Sequence, residues 1–351
     1  MSAPSIKDLL KRGALLAAVN WQTVVVQFVA ETTFQVLLAV PIVGAAILVA
    51  VLLGADLAEL LQGSMRDIFT TIASALLSEP VALVAFVTAF SLVLLGGSAL
   101  MFVVKGGTVE VLLAAHTAAG PIERRPFSIE MYREASRFTL QRFTAGCSRL
   151  FRPYVILGLG LMVVYGVSIG GYLVCVVSGY HMMGGRALMV GWTFIATVLA
   201  LALVAWMTIV NWLYLLMQIA IAVEGTGMSD AARALIRFIR AEFRELAGVF
   251  LIVLVLVIAA TLASFLAWSG VGLVAFVPLI GLAVFPLQIA ALVLRGLVFE
   301  YLGLTALCSY VALYAGYAGR RSQGAHGAEV VGRQESSAGG RVYWGGLTPG
   351  S

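Results

Sequence analysis

Six apolar runs, each about twenty residues or longer, recur along this chain of 351 residues and decide what it can fold into. A helix of that length crosses a bilayer, where no water satisfies backbone groups, so the chain there must form a helix or a closed barrel. Long runs without strict alternation read as helices. Hydrophobic residues make up 61% of the chain and charged residues 11%, against roughly 25% charged in an ordinary soluble domain. The reading is an all-α integral membrane protein of about six transmembrane helices, with spans near 32–54, 80–104, 153–177, 187–223, 247–267 and 285–318.

Charge orients these spans. If the N-terminus, the segments 105–152 and 224–246 and the C-terminal tail share one side, only Arg66 and Arg186 of the 22 basic residues lie opposite. Basic residues gather on the cytoplasmic side, so both termini are expected there, in a prokaryotic plasma (inner) membrane. The formal charge of +5 sits beside apolar runs, which points to anionic lipid head groups and not to nucleic acid. An acidic loop at 55–79 falls outside.

Residues 1–30 are too polar for a span and read as an N-terminal interfacial helix. Gln27, Glu31 and Gln35 then form a stripe leading into the first span. The most informative stretch is 206–250, where Glu224-Gly-Thr-Gly-Met-Ser precedes a basic amphipathic segment. At 100° per residue Arg233, Arg237, Arg240 and Arg244 share a stripe about 60° wide, opposite Leu235, Ile236, Ile239, Phe243 and Leu246. A helix of this kind suits a membrane surface, with those arginines as candidate anionic-lipid contacts or as plain topology anchors. Glu134-Ala-Ser-Arg137 echoes Asp230-Ala-Ala-Arg233, which suggests an internal repeat of span, basic surface helix and span. Gly166-Val-Ser-Ile-Gly170 offers a small-xxx-small contact to another helix.

The region 271–318 is apolar for more than one span length and carries Pro278, Pro286, Arg295 and Glu300. Hydropathy allows one span or two there; the basic tail favours one long helix and an even total. Residues 319–351, rich in Gly and Ser, read as a disordered cytoplasmic tail, in which Tyr343 and Trp344 are an idle pair or a short docking motif.

The chain lacks H-E-x-x-H, a Walker loop and C-x-x-C, and its three histidines and three cysteines are scattered. No enzyme activity, cofactor or metal is expected. Polar groups at membrane depth are the remaining handle. Asn211 and Gln218 share a face of the fourth span, and Gln288 and Arg295 a face of the last. Arg295 is expected to pair with Glu31, Glu110, Glu224 or Glu300, to snorkel, or to line a path.

The run from Gln218 through Glu224-Gly-Thr-Gly to Phe238, followed by Phe243 and a span, resembles six-span prokaryotic membrane proteins, among them the membrane domain attached to some glycerophosphodiester phosphodiesterases. The likeness covers roughly 100–265 and implies architecture without catalytic residues, since the soluble barrel of those fusions is missing. The functional expectation is a non-enzymatic scaffold, assembly or accessory subunit that meets anionic lipids and other membrane-protein subunits. A small transporter or lipid-handling permease is the alternative.

Overall fold

The computed structural model describes residues 5–53, 78, 80–123, 129–182, 186–225, 227–275 and 280–338. Among them the secondary structure is helical throughout: α1 (Ile6–Val19), α2 (Trp21–Leu53), α3 (Pro80–Ala118), α4 (Ile129–Ala135), α5 (Leu140–Met182), α6 (Arg186–Glu224), α7 (Met228–Ala241), α8 (Phe243–Ala275) and α9 (Ile280–Ala338). Six of the helices are long and apolar enough to cross a membrane. The protein is an all-α multi-pass membrane protein.

A short helix, a break and two long helices occur three times in succession: α1–α3, α4–α6 and α7–α9. The repeat therefore has three units, and its register differs from the sequence echo. Asp230–Arg233 begins α7, whereas Glu134–Arg137 closes α4 and runs past it. The breaks have chemical causes. At the α1–α2 junction the fully buried Asn20 donates from Nδ2 to the carbonyls of Leu16 at 3.0 Å and Ala135 at 3.1 Å, and its Oδ1 accepts the Arg137 N–H at 3.0 Å. One side chain thus pins the first break to the second. At the third, Glu242 leaves helical geometry (φ −120°) and accepts Arg320 at 2.5 Å. Between the second and third units Gly225 takes φ +61° after α6, where its N–H reaches the Ile221 carbonyl.

Burial divides the molecule into a hub and splayed spans. The core combines α1, α4 and α7 with the adjoining ends of the long helices. In the apolar windows of the six long helices, only 0 to 17% of residues are buried, so these windows are built to face lipid. In α9 the residues 304–314 are buried in the hub while 289, 292 and 294 are exposed. This division explains the overlong apolar run: one helix supplies a lipid-facing half and a protein-buried half.

Several expectations change on this basis. The first 30 residues are not one interfacial helix, because α1 lies in the hub and α2 already begins at Trp21. Gly13 of α1 packs where any Cβ would overlap Ser309 Oγ and the Thr305 carbonyl of α9. Part of the apolar side of α7 packs on protein, with Leu235 and Phe238 buried and the Phe238 ring 4.8 Å from that of Tyr314, while Ile236 and Phe243 remain exposed. Arg244 lies beyond the Glu242 break on α8, so it leaves the stripe of Arg233, Arg237 and Arg240. Among the described residues a Cβ at Gly166 or Gly170 meets nothing within 4 Å, while α3 and α5 approach closely at Gly106, Gly107 and Gly146. Finally α9 continues to Ala338 where a tail disordered from 319 is expected. Residues 319–338 contain no proline, and extending an existing helix carries no nucleation cost. Tyr343, Trp344 and nearly all of the 55–79 loop lie outside the described residues.

Candidate functional site

In space the long helices run α6–α5–α3–α2–α9–α8, and near the hub α9 also touches α3 and α6. This return brings α2, α3, α6 and α9 around one polar interior. Its centre is Lys105 of α3, whose Nζ lies 5.6 Å from the centroid of the Tyr214 ring of α6. Lys105 sits within electrostatic reach of Glu31 on α2 and Glu300 on α9. Those two carboxyl groups are within hydrogen-bonding reach of each other, and Gln35 Nε2 donates to Glu31 Oε1 at 3.3 Å.

Cavities lie on either side of the charged centre. One of about 250 Å³ is lined by Gln27, Lys105, Thr108, Asn211, Tyr214 and Gln218, among others. Thr108, Tyr214 and Gln218 are 1%, 7% and 2% exposed. Among the described residues Thr108 Oγ1 has no hydrogen-bond partner, and Tyr214 Oη and Gln218 Nε2, which lie within reach of each other, have no other. A buried polar atom without a partner costs about 1–3 kcal/mol, and polar groups so sparsely served around one cavity suit an occupant that supplies partners. The second cavity, about 620 Å³, is bounded by Phe28, Glu31, Thr32, Gln35, Thr261, Arg295, Phe299 and Glu300.

The four polar residues singled out in the sequence therefore separate. Asn211 and Gln218 line the smaller cavity, and Asn211 also reaches the Tyr165 hydroxyl of α5. Arg295 lines the larger one. Gln288 borders neither of these cavities. Arg295 also has none of its expected partners, since no ion pair or hydrogen bond to it occurs among the described residues. Glu110 pairs with Arg149, and Glu224 accepts the Tyr314 hydroxyl at 2.9 Å. The Arg295 guanidinium instead lies 5.7 Å from the Phe299 ring centroid. Among the lipid-contact candidates, Arg233 binds Asp230 at 2.6 Å, and Arg233 and Arg237 border a groove with Arg321.

Lys105 and the carboxyl pair are the residues that sequence reasoning passed over as a site. Lys105 ends an apolar run and reads as a span boundary; its role emerges only when the antiparallel register sets Gly97 against Phe34 and Gly296 against Phe28. That register brings Glu31, Lys105 and Glu300 together. Gly166–Gly170 also spells G-x-S-x-G, but it lies inside α5, where Ser168 Oγ accepts Trp206 Nε1 at 3.1 Å. A nucleophile elbow needs a strand-to-helix turn, which α5 does not provide. His116 accepts Arg12 Nε at its Nδ1, 3.2 Å away, and belongs to the hub. Among the described residues no three His, Cys, Asp or Glu side chains converge as a metal site would require.

The fold and site thus define a multi-pass helical membrane protein with a charged, cavity-flanked interior. Comparison of the chain with protein-family models, curated proteins and solved structures finds no match.

Proposed function

We propose that this protein binds and passes on a polar or amphipathic molecule within the membrane, as a non-enzymatic carrier or lipid-handling permease. The observation that carries the reading is a set of under-partnered buried groups, Thr108 Oγ1 beside the Tyr214–Gln218 pair, around a cavity that Lys105 also enters. Apolar residues of similar shape would remove the cost of burying these groups, so their gathering at one cavity favours a ligand over packing alone. The carboxyl pair and Arg295 extend the polar surface into the second cavity. The scaffold reading rests on the wide apolar outer faces of the spans, which lipid alone also satisfies.

We place the hub on the cytoplasmic side of a prokaryotic plasma membrane. Lys11, Arg12, Arg142, Arg149, Arg233, Arg237 and Arg320 all lie on hub elements or their adjoining ends, and such enrichment marks the inner face. Anionic lipid contact then falls to Arg233, Arg237 and Arg240, with Arg244 at the start of α8.

The test is purification of the full chain in lipid nanodiscs, followed by mass spectrometry of everything retained, for the wild type, Lys105→Met and Gln218→Leu. A small molecule or lipid held by the wild type and lost from both folded variants supports the reading. A stoichiometric protein partner that both variants retain, with no such ligand, overturns it in favour of a scaffold.

A further inference from the structure

Arg295 stands in the wall of two cavities at once. On one side is the polar cavity with Glu31 and Glu300. On the other, between α8 and α9, is a cavity of about 340 Å³ whose α8 wall joins four small residues, Ala260, Ala263, Ser264 and Ala267, to Trp268. Those four residues recur at helical spacing on one face. Small residues at that spacing usually let helices close together; here they leave an apolar channel.

We propose that the paired cavities hold one phospholipid with a primary-amine head group. Its phosphate sits on Arg295, its ammonium on the Glu31–Glu300 carboxyl pair, and an acyl chain in the alanine-walled channel. The inference rests on the ligand-binding reading above and names the ligand class.

Charge and geometry select this occupant. The Arg295 guanidinium has no acceptor among the described residues, and its seat by Phe299 leaves its N–H edge for a phosphate, the geometry in which arginine binds best. Five residues separate Arg295 from Glu300 along α9, an axial distance of about 7.5 Å, so an anion and a cation of one head group face separate partners. Arg295 and the Glu31–Glu300 carboxyl pair line the larger cavity, and Lys105 stands within electrostatic reach of the pair from the neighbouring one. A zwitterion meets both the cationic and the acidic part of this lining, whereas a net anion answers only Arg295. A primary ammonium brings three donors for carboxylate oxygens, whereas a choline group has none. Each cavity volume falls within the range of about 300–1,000 Å³ typical of ligand sites.

The experiment adds phosphatidylethanolamine, phosphatidylcholine or phosphatidylglycerol of identical acyl chains to the delipidated full-length protein, and follows adducts by native mass spectrometry. The ethanolamine lipid is expected to bind most tightly. Arg295→Gln should weaken all three lipids by about tenfold or more, the scale of a lost charge-assisted hydrogen bond, and Arg295→Lys should recover part of the loss. Glu31→Gln with Glu300→Gln should erase the preference for ethanolamine over choline while the protein stays monodisperse. Ala263→Phe, which fills the channel, should weaken the two-chain lipid but not soluble glycerophosphoethanolamine. Equal retention of the three lipids, tighter binding of the glycerol lipid, or no effect of Arg295→Gln overturns the proposal. If a water-soluble molecule is retained at Lys105 while lipids show no preference, this inference fails and the ligand-binding reading stands; retention of a protein partner alone sinks both.

Discussion

Asn20 gives the sharpest test of the hub, because its geometry makes an unusual prediction about which substitution is worse. The side chain is fully buried, donates to Leu16 and Ala135, and accepts from the Arg137 N–H. The Leu16 carbonyl keeps the Asn20 N–H at 3.1 Å, so losing that side-chain bond costs little. In Asn20→Ala the Ala135 carbonyl and Arg137 N–H lose the side chain that serves them, at about 1–3 kcal/mol each. The expected destabilisation is therefore about 3 kcal/mol, together with a small cavity. Asn20→Asp keeps the shape and the acceptor for Arg137, yet turns a carboxyl oxygen toward two carbonyl oxygens in a dry site. The near-isosteric change should thus be at least as harmful as truncation. Hydrogen exchange at the Arg137 amide is the direct readout, supported by thermal denaturation in detergent. Exchange should accelerate by more than about tenfold in both variants, since 1.4 kcal/mol of opening free energy is one decade. Wild-type protection in Asn20→Asp would refute the assignment of Nδ2 and Oδ1, and with it the pinning of the two breaks.

Other perturbations probe other parts of the structure. Gln218→Leu removes a buried amide whose Nε2 has no partner beyond the nearby Tyr214 hydroxyl, so thermal stability should change by less than about 1 kcal/mol while ligand retention falls; a larger loss of stability would show the amide to be well satisfied. Gly146→Val should separate α3 from α5, because any Cβ there overlaps the Glu110 side chain; a cost of about 1–3 kcal/mol is expected from overpacking, read as a lower unfolding temperature, and an unchanged temperature would contradict the close approach. Among the three cysteines, Cys308 is buried in the hub while Cys175 is exposed on a lipid-facing stretch. A membrane-permeant thiol reagent should label Cys175 in the folded protein and reach Cys308 only after denaturation; rapid labelling of Cys308 would place it outside the core.

The helices and their number were legible because apolar runs that long have few structural solutions. The Gly225 turn was also visible, from the glycines after Glu224. What hydropathy could not distinguish was lipid from protein as the medium around an apolar residue. Leu304, Ala306, Leu307 and Leu313 are buried in the hub, yet in sequence they are continuous with residues exposed to lipid. The same ambiguity made α1 and α7 read as surface helices, although an amphipathic stripe fits a protein groove as well as a membrane. A helical wheel likewise assumes an unbroken helix, and Glu242 breaks this one before Arg244. The site was legible only in fragments. Glu31, Gln218 and Arg295 drew notice because polar groups are rare in spans, while their arrangement around Lys105 depends on a register between helices distant in sequence.

The position of the charged centre follows from the same division between hub and spans. Gly106, beside Lys105, packs against Leu150 of α5, and Arg149 and Arg152 lie within a turn of that contact. Lys105 therefore sits at the level where the hub gives way to the lipid-facing helices, and not at the bilayer midplane. Charges near such a boundary are far less costly than at the centre, which permits a lysine and two carboxyls without the tight pairing that a dry interior demands. The row of helices ends in α6 and α8, which meet at the hub side through Trp212 and Phe250 with ring centroids 5.5 Å apart. Farther from the hub the spans are held mainly by their neighbours in the row. On the reading proposed above, a molecule reaches Arg295 sideways from the membrane, along the cavity between α8 and α9. Packing at the hub and openness between the spans would suit the proposed lipid, whose head group would meet polar side chains near the hub boundary while its chain stays in an apolar medium.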